Sequence, residues 1–120
     1  MVGMPMKQVG GGVDVTSHYT KNSGTNDFYA WKRDNIVYFA GNADITNYGT
    51  PVSFDSDVYA KYFTDTGSNQ WGLGSGTAFY LSGSNRVPVC ISILKSGLYV
   101  SLPSSGTHTV YFYGMYTLDV

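Results

Sequence analysis

The chain contains no glutamate; all eight of its acidic residues are aspartates. Charged residues of either sign make up only 12% of its 120 residues, well below the roughly 25% usual in globular proteins. The net charge of −1 leaves no basic footprint for a nucleic acid, whose phosphates call for clustered Lys and Arg. A single cysteine, Cys90, excludes an intrachain disulfide. It stands in an apolar run and is expected as a small buried hydrophobe, since no matched base marks it as a nucleophile. No apolar run approaches the roughly 18 residues of a membrane-spanning helix. Residues 1–12, MVGMPMKQVGGG, lack the apolar core of an export signal, so no Sec-type export signal is expected. Alanine is scarce too, and with glutamate missing the chain is poor in residues that favour helix interiors.

What it does have is strand and turn material: 11 Tyr, 6 Phe and 15 Gly, with abundant Thr, Ser and Val. At this length one domain with a real core is expected, here over residues 13–120, behind a flexible lead-in or shaft joint over 1–12 that ends in three glycines. The organising stretch is residues 28–45, FYAWKRDNIVYFAGNADI. It reads as two strands folded back at Asp34-Asn35, residue types that tolerate the positive φ of a primed hairpin turn. Tyr29, Trp31 and Arg33 share one face of the first strand, and Phe28, Ala30 and Lys32 the other.

Alternation before the hairpin suggests a half-exposed strand over residues 13–19. After it come a turn at NYGTP (47–51), a short strand over 52–54, a turn at Asp55-Ser56-Asp57 and a strand over 58–64. Residues 70–81 read as a bent or broken strand, because Gly72, Gly74 and Gly76 interrupt it. Residues 86–94, RVPVCISIL, put Val87, Val89, Ile91 and Ile93 on one face, and Pro88 demands an edge or a bulge. A tight turn at Ser96-Gly97 leads to a strand ending at Leu102. The last strand, 109–118, is apolar on both faces, which points to burial beneath a further layer or subunit. Short strands with turn signals about every 8–12 residues predict an all-β, antiparallel, jelly-roll-like β-sandwich.

The order of these pieces resembles the C-terminal head domains of tailed-phage and prophage tail fibres and receptor-binding proteins. The residues that carry the resemblance are Trp31-Lys32-Arg33, Val37-Tyr38-Phe39-Ala40-Gly41, Pro51-Val52-Ser53-Phe54, the run 91–100, and the closing strand 110–116 with Gly114 and Tyr116. Asn35 stands where a turn glycine is common, and the 72–76 glycines have no counterpart in the pattern. The resemblance implies a homotrimeric β-sandwich at a fibre tip on the virion, alongside other tail proteins. It implies binding of a host cell-surface saccharide, with no enzymatic activity and no membrane insertion.

Sugar recognition pairs an aromatic face with hydrogen-bonding side chains. The candidate saccharide-binding set is Trp71, flanked by Asp65, Asn69 and Gln70, together with Tyr80. A core or interface anchor is the alternative for Trp71, and core or subunit contact is expected for Trp31. Tyr59, Tyr62, Tyr80, Tyr99, Tyr111 and Tyr113 are the expected exposed aromatic surface, serving recognition or, for Tyr111 and Tyr113, trimer packing. Arg33 and Arg86 could pair with carboxylates near the turns.

No cofactor or metal is expected. Asp55-Ser56-Asp57 lacks the alternating ligands of a calcium loop, His18 and His108 lack zinc spacing, and no Lys-Ser/Thr follows the 72–76 glycines as in a phosphate loop. Two functions compete with recognition. One is a purely structural virion protein of the tail, baseplate or head decoration. The other is a small polysaccharide-acting enzyme, for which the sequence selects no carboxylate pair.

Overall fold

The structure, a computed structural model, describes residues 12–54, 73–94 and 97–117. Its strands in chain order are β1 (Val13–Asp14), β2 (Tyr19–Lys21), β3 (Thr25–Arg33), β4 (Ile36–Thr46), β5 (Tyr48–Gly49), β6 (Val52–Phe54), β7 (Leu73–Ser82), β8 (Asn85–Leu94), β9 (Gly97–Ser101) and β10 (Thr107–Thr117). A single 3-10 turn, Thr16–His18, separates β1 from β2. The strand expected over 58–64, the Asp55-Ser56-Asp57 turn and the lead-in over 1–11 lie outside the described residues.

The fold is all-β, and every ladder is antiparallel. Period-two alternation fixes the register, because a one-residue slip would turn each apolar face to water. The central hairpin forms as expected: Arg33 faces Ile36 across Asp34-Asn35, and Asp34 takes the left-handed φ of 55°. β10 then lies along the full length of β4, from Thr107 opposite Thr46 to Thr117 opposite Ile36, and β7 pairs with its other side.

The strands form one curled sheet in the order β1-β3-β4-β10-β7-β8-β9-β6-β2, with β5 also on β9. The fold into two layers happens at β8. Its first half, through Val89, pairs with β7; its second half, from Cys90, pairs with β9. Pro88 sits in the half bonded to one neighbour only, where its missing N–H costs no ladder bond on the open side. The two layers, β1-β3-β4-β10-β7-β8 and β8-β9-β6-β2, meet through their inner faces. Phe54 of β6 stacks on Tyr116 of β10 at 5.4 Å, and Tyr19 of β2 meets Phe28 of β3 edge-on at 5.5 Å. The phenols of Tyr19 and Tyr116 hydrogen-bond within this core. The result is the expected sandwich.

Val15 and Thr16 seal the seam where the curled sheet closes on itself. The Val15 N–H donates to the Ala30 carbonyl at 2.9 Å. The Thr16 hydroxyl donates to the same carbonyl at 3.2 Å and accepts from the Ala30 N–H at 3.0 Å. Residues 13–19 are therefore not one strand, as alternation suggested. The 3-10 turn between β1 and β2 carries the chain from one end of the sheet to the other.

Gly74 and Gly76 mark close packing and leave the strand unbroken, since β7 runs continuously from Leu73 to Ser82, while Gly72 lies outside the described residues. A Cβ on Gly74 would stand 2.4 Å from the Met115 carbonyl oxygen and 2.9 Å from Ile93 Cδ1. Glycine is used here for close approach of two layers, the second of the two meanings an interior strand glycine can have. Cys90 is exposed, contrary to expectation. Val89 and Ile93 take the inward phase of β8, so their neighbour Cys90 must face outward. NYGTP, expected as a turn, contains the two-residue strand β5, with Tyr48 opposite Ser101.

Candidate functional site

The inner face of β10 carries Val110, Phe112 and Tyr116, all buried, so its odd residues must face out. Across the outer face of the larger layer the registers line up in rows. Trp31, Tyr38, Met115 and Ser75 form one; Tyr29, Ala40, Tyr113 and Thr77 the next; Asp27, Asn42, Tyr111 and Phe79 the third. Neighbours in such rows touch, and the aromatic ones stack: Trp31 on Tyr38 at 5.9 Å, Phe79 on Tyr111 at 5.6 Å. The Arg86 guanidinium lies over the Phe79 ring at 4.6 Å, where a carboxylate partner was expected.

Ala40 is the small residue of the middle row. Between Trp31, Tyr38, Tyr113 and Met115 its short side chain leaves a hollow of about 470 Å³. Ser75 and Thr77 bring the small hydroxyls to its lining, and among the described residues no charged side chain lines it. The polar side chains at the far end of the face satisfy one another. Asn26 donates to Asn42, Asn42 to Asp27 and Thr109 to Asp44, at 3.0, 3.3 and 2.7 Å. Tyr29 is 48% exposed and Tyr113 50%, so a broad aromatic surface stands bare on the single chain.

A second, smaller concavity of about 340 Å³ lies at one end of the other layer. Asn47, Tyr48, Ser101, Leu102, Pro103, Ser104 and Ser105 line it. The loop that forms it is held by Asn47, whose φ is 61°. The Asn47 N–H donates to the Gly106 carbonyl, its carbonyl accepts from Leu102 N–H, and its Oδ1 accepts from Gly106 N–H, all within 3.0 Å.

Of the candidate saccharide set, Trp71, Asp65, Asn69 and Gln70 lie outside the described residues, as do Tyr59 and Tyr62. Tyr80 is buried and stacked on His108, ring centres 3.8 Å apart, so it does not belong to the exposed tyrosine surface. Tyr99 is half-buried, while Tyr111 and Tyr113 are exposed as expected. Trp31 is half-buried on the outer face, stacked on Tyr38, so of its two expected placements the core is excluded. Sequence reasoning passed over Tyr29 and Tyr48. The signal for Tyr29 was its phase with Asp27 and Arg33, opposite to Phe28 and Ala30. For Tyr48 it was the position between Asn47 and Gly49, where an aromatic ring has no strand face to hide behind.

No family model matches the sequence, and no curated protein does. Among solved structures, the head domain of phage bIL170, described in a study of a common fold for the receptor-binding domains of lactococcal phages, superimposes with a TM-score of 0.51. The match covers 83% of this chain and 96% of that one, at 20% identity. The chain has the fold of a phage receptor-binding head domain. The head-domain fold accounts for the motif glycines in physical terms. Phe112 lies over Gly41 and Phe39 over Gly114, each aromatic ring filling the space above the glycine paired with it. A Cβ on Gly41 would meet Phe112 Cζ at 2.9 Å, and one on Gly114 would meet Phe39 Cζ at 2.8 Å.

Proposed function

We propose that this chain is the receptor-binding head of a phage or prophage tail fibre. It acts as a homotrimer at the virion tail tip and binds a saccharide of the host cell surface. The likeness of its fold to the bIL170 head carries this reading. The bare aromatic face supports the trimer. Its hollow is mostly apolar and, among the described residues, lined by no charge and only the Ser75 and Thr77 hydroxyls, whereas a sugar needs hydrogen-bonding groups all around its ring, so a second copy of the chain suits this face better. Other tail proteins hold the fibre. Each saccharide contact is weak, and several copies presented together supply avidity.

The reading is of a binding protein and not of an enzyme. Of the described carboxylates, Asp27 and Asp44 accept bonds from Asn42 and Thr109, Asp14 accepts from the Thr16 N–H at 2.9 Å, and Asp34 lies exposed in the β3–β4 turn. The sugar contact proposed from sequence is Trp71 with Asp65, Asn69 and Gln70; Tyr80, also chosen for it, is buried against His108. A purely structural tail, baseplate or decoration protein is the second reading, which the aromatic face serves equally well.

The deciding experiment combines light scattering during size exclusion with retention on an array of bacterial envelope glycans. A particle of three chains, each 13.1 kDa, that retains glycans supports the proposal, with Trp71→Ala weakening retention. A trimer that retains no envelope glycan selects the structural reading, and a monomer overturns the trimeric head.

A further inference from the structure

The smaller concavity has the chemistry that the aromatic hollow lacks. Tyr48, on its rim, is 65% exposed, more than any other large apolar side chain described. β5 sets Tyr48 directly opposite Ser101, which makes Tyr99 its diagonal neighbour across the ladder. The two rings lie 6.3 Å apart at 33°, so Tyr99 backs Tyr48 from one side and leaves the rest of the ring open. An exposed ring held by a neighbour loses little side-chain freedom when something stacks on it.

Around that ring stand small polar groups. Ser101 comes from β9; Ser104 and Ser105, both exposed, come from the loop that follows, with Pro103 stiffening it. Leu102 is buried and anchors the loop to the core. The three Asn47 hydrogen bonds to Leu102 and Gly106 fix the loop, and the hydroxyls of Thr46 and Thr107 add a bond of 2.6 Å beside it. The cup is thus held in shape without a ligand, so binding need not order it.

The geometry points to this cup as a binding site for one uncharged sugar ring, stacked on Tyr48. This rests on the receptor-binding reading and adds a location that reading does not contain. The C–H face of a pyranose carries weakly positive hydrogens that suit the negative face of a phenol ring. The serine hydroxyls donate to or accept from the ring's own hydroxyls, whichever is required. Every described lining residue is uncharged, so among the described residues a phosphate or a uronic acid finds no cation there. The volume, about 340 Å³, is at the small end of ligand pockets and fits a single ring with its water, not a peptide or a helix.

The test is amide mapping by NMR on the ¹⁵N-labelled full chain. The probes are methyl glucoside, methyl galactoside, methyl rhamnoside, N-acetylglucosamine and, as the charged counterpart, glucuronic acid, each titrated to about 50 mM to reach a millimolar site. At least one neutral probe is expected to shift the amides of Tyr48, Leu102, Ser104 and Gly106 with saturation. Tyr48→Ala is expected to weaken this at least about tenfold, while Tyr48→Phe keeps it, since stacking needs the ring and not the phenol oxygen. Unshifted core amides in both variants show an intact fold. Shifts confined to other residues, or unchanged by Tyr48→Ala, overturn the cup and leave saccharide recognition standing. Equal binding of glucuronic acid overturns the uncharged class. No shift with any probe overturns the cup and the saccharide reading together.

Discussion

Two glycine–phenylalanine pairs lock β4 to β10. Gly41 lies opposite Phe112 and Gly114 opposite Phe39, and the rings occupy the space that a Cβ would need. A methyl group at Gly114 would also stand 2.4 Å from the Ser75 carbonyl, a backbone atom that cannot swing away. Gly114→Ala is therefore expected to cost about 2–3 kcal/mol in urea unfolding. Gly83→Ala is the control: nothing lies within 4 Å of its Cβ position, and only the φ of 64° opposes it, at about 1 kcal/mol. Equal losses at the two sites would show that packing over Gly114 contributes nothing. Cys90 offers a simpler check. Being exposed, it should react with a maleimide in the native protein at the rate of a free thiol, where a buried thiol would wait for unfolding.

Among the elements, the seam depends on one hydroxyl. Thr16 both donates to and accepts from the Ala30 backbone, standing in for a strand neighbour where the ladder gives way to the 3-10 turn. Thr16→Val keeps the shape and removes both bonds. A loss of about 1–2 kcal/mol is expected, together with faster hydrogen exchange at the Ala30 amide than at Val37, which lies in the paired centre. Exchange that rises equally at both would mean the seam opens only with the whole domain. The seam was not readable in the sequence, because Val13, Val15 and Ser17 mimic strand alternation and the hydroxyl's partner lies 14 residues away. β3, β4, β8 and β10 were readable, since each shows large apolar residues on alternate positions. β7 was not. Its inward positions begin with Gly74 and Gly76, so the periodic signal is blank where Ile93 and Ile91 press closest.

For the whole molecule, the proposed assembly turns on the outer aromatic face. If copies meet there, Trp31→Asp with Tyr113→Lys should turn a trimer into monomers by light scattering. The near-ultraviolet signal of the buried Tyr116 and Tyr19 core should survive. A trimer that persists places the contact elsewhere. Half of this was legible: both-face hydrophobicity in the last strand marked an apolar outer face, and Tyr111 and Tyr113 stand exposed on it. The proposed cup was not legible, because it is assembled from residues far apart in the chain. Tyr48 and Ser104 stand together only because β5 pairs with β9. Tyr80, chosen for its residue type, turned inward to His108 by the phase of a strand whose alternation glycines had erased.

The place of β10 has a further consequence, for the timing of synthesis. It is the last strand in the described chain and lies between β4 and β7 in the middle of the sheet. Until Thr107–Thr117 has left the ribosome, β4 and β7 have no partner between them, and Phe39 and Val37 face water. Folding of this domain must wait for its last described strand, and pairings this distant in sequence form slowly. A nascent chain arrested at Gly106 should be digested by protease as an unfolded polypeptide, and one arrested far enough beyond Thr117 to free β10 should resist. During that wait the aromatic strands are exposed and prone to join copies of themselves, which gives chaperones a part in bringing the domain to its folded state.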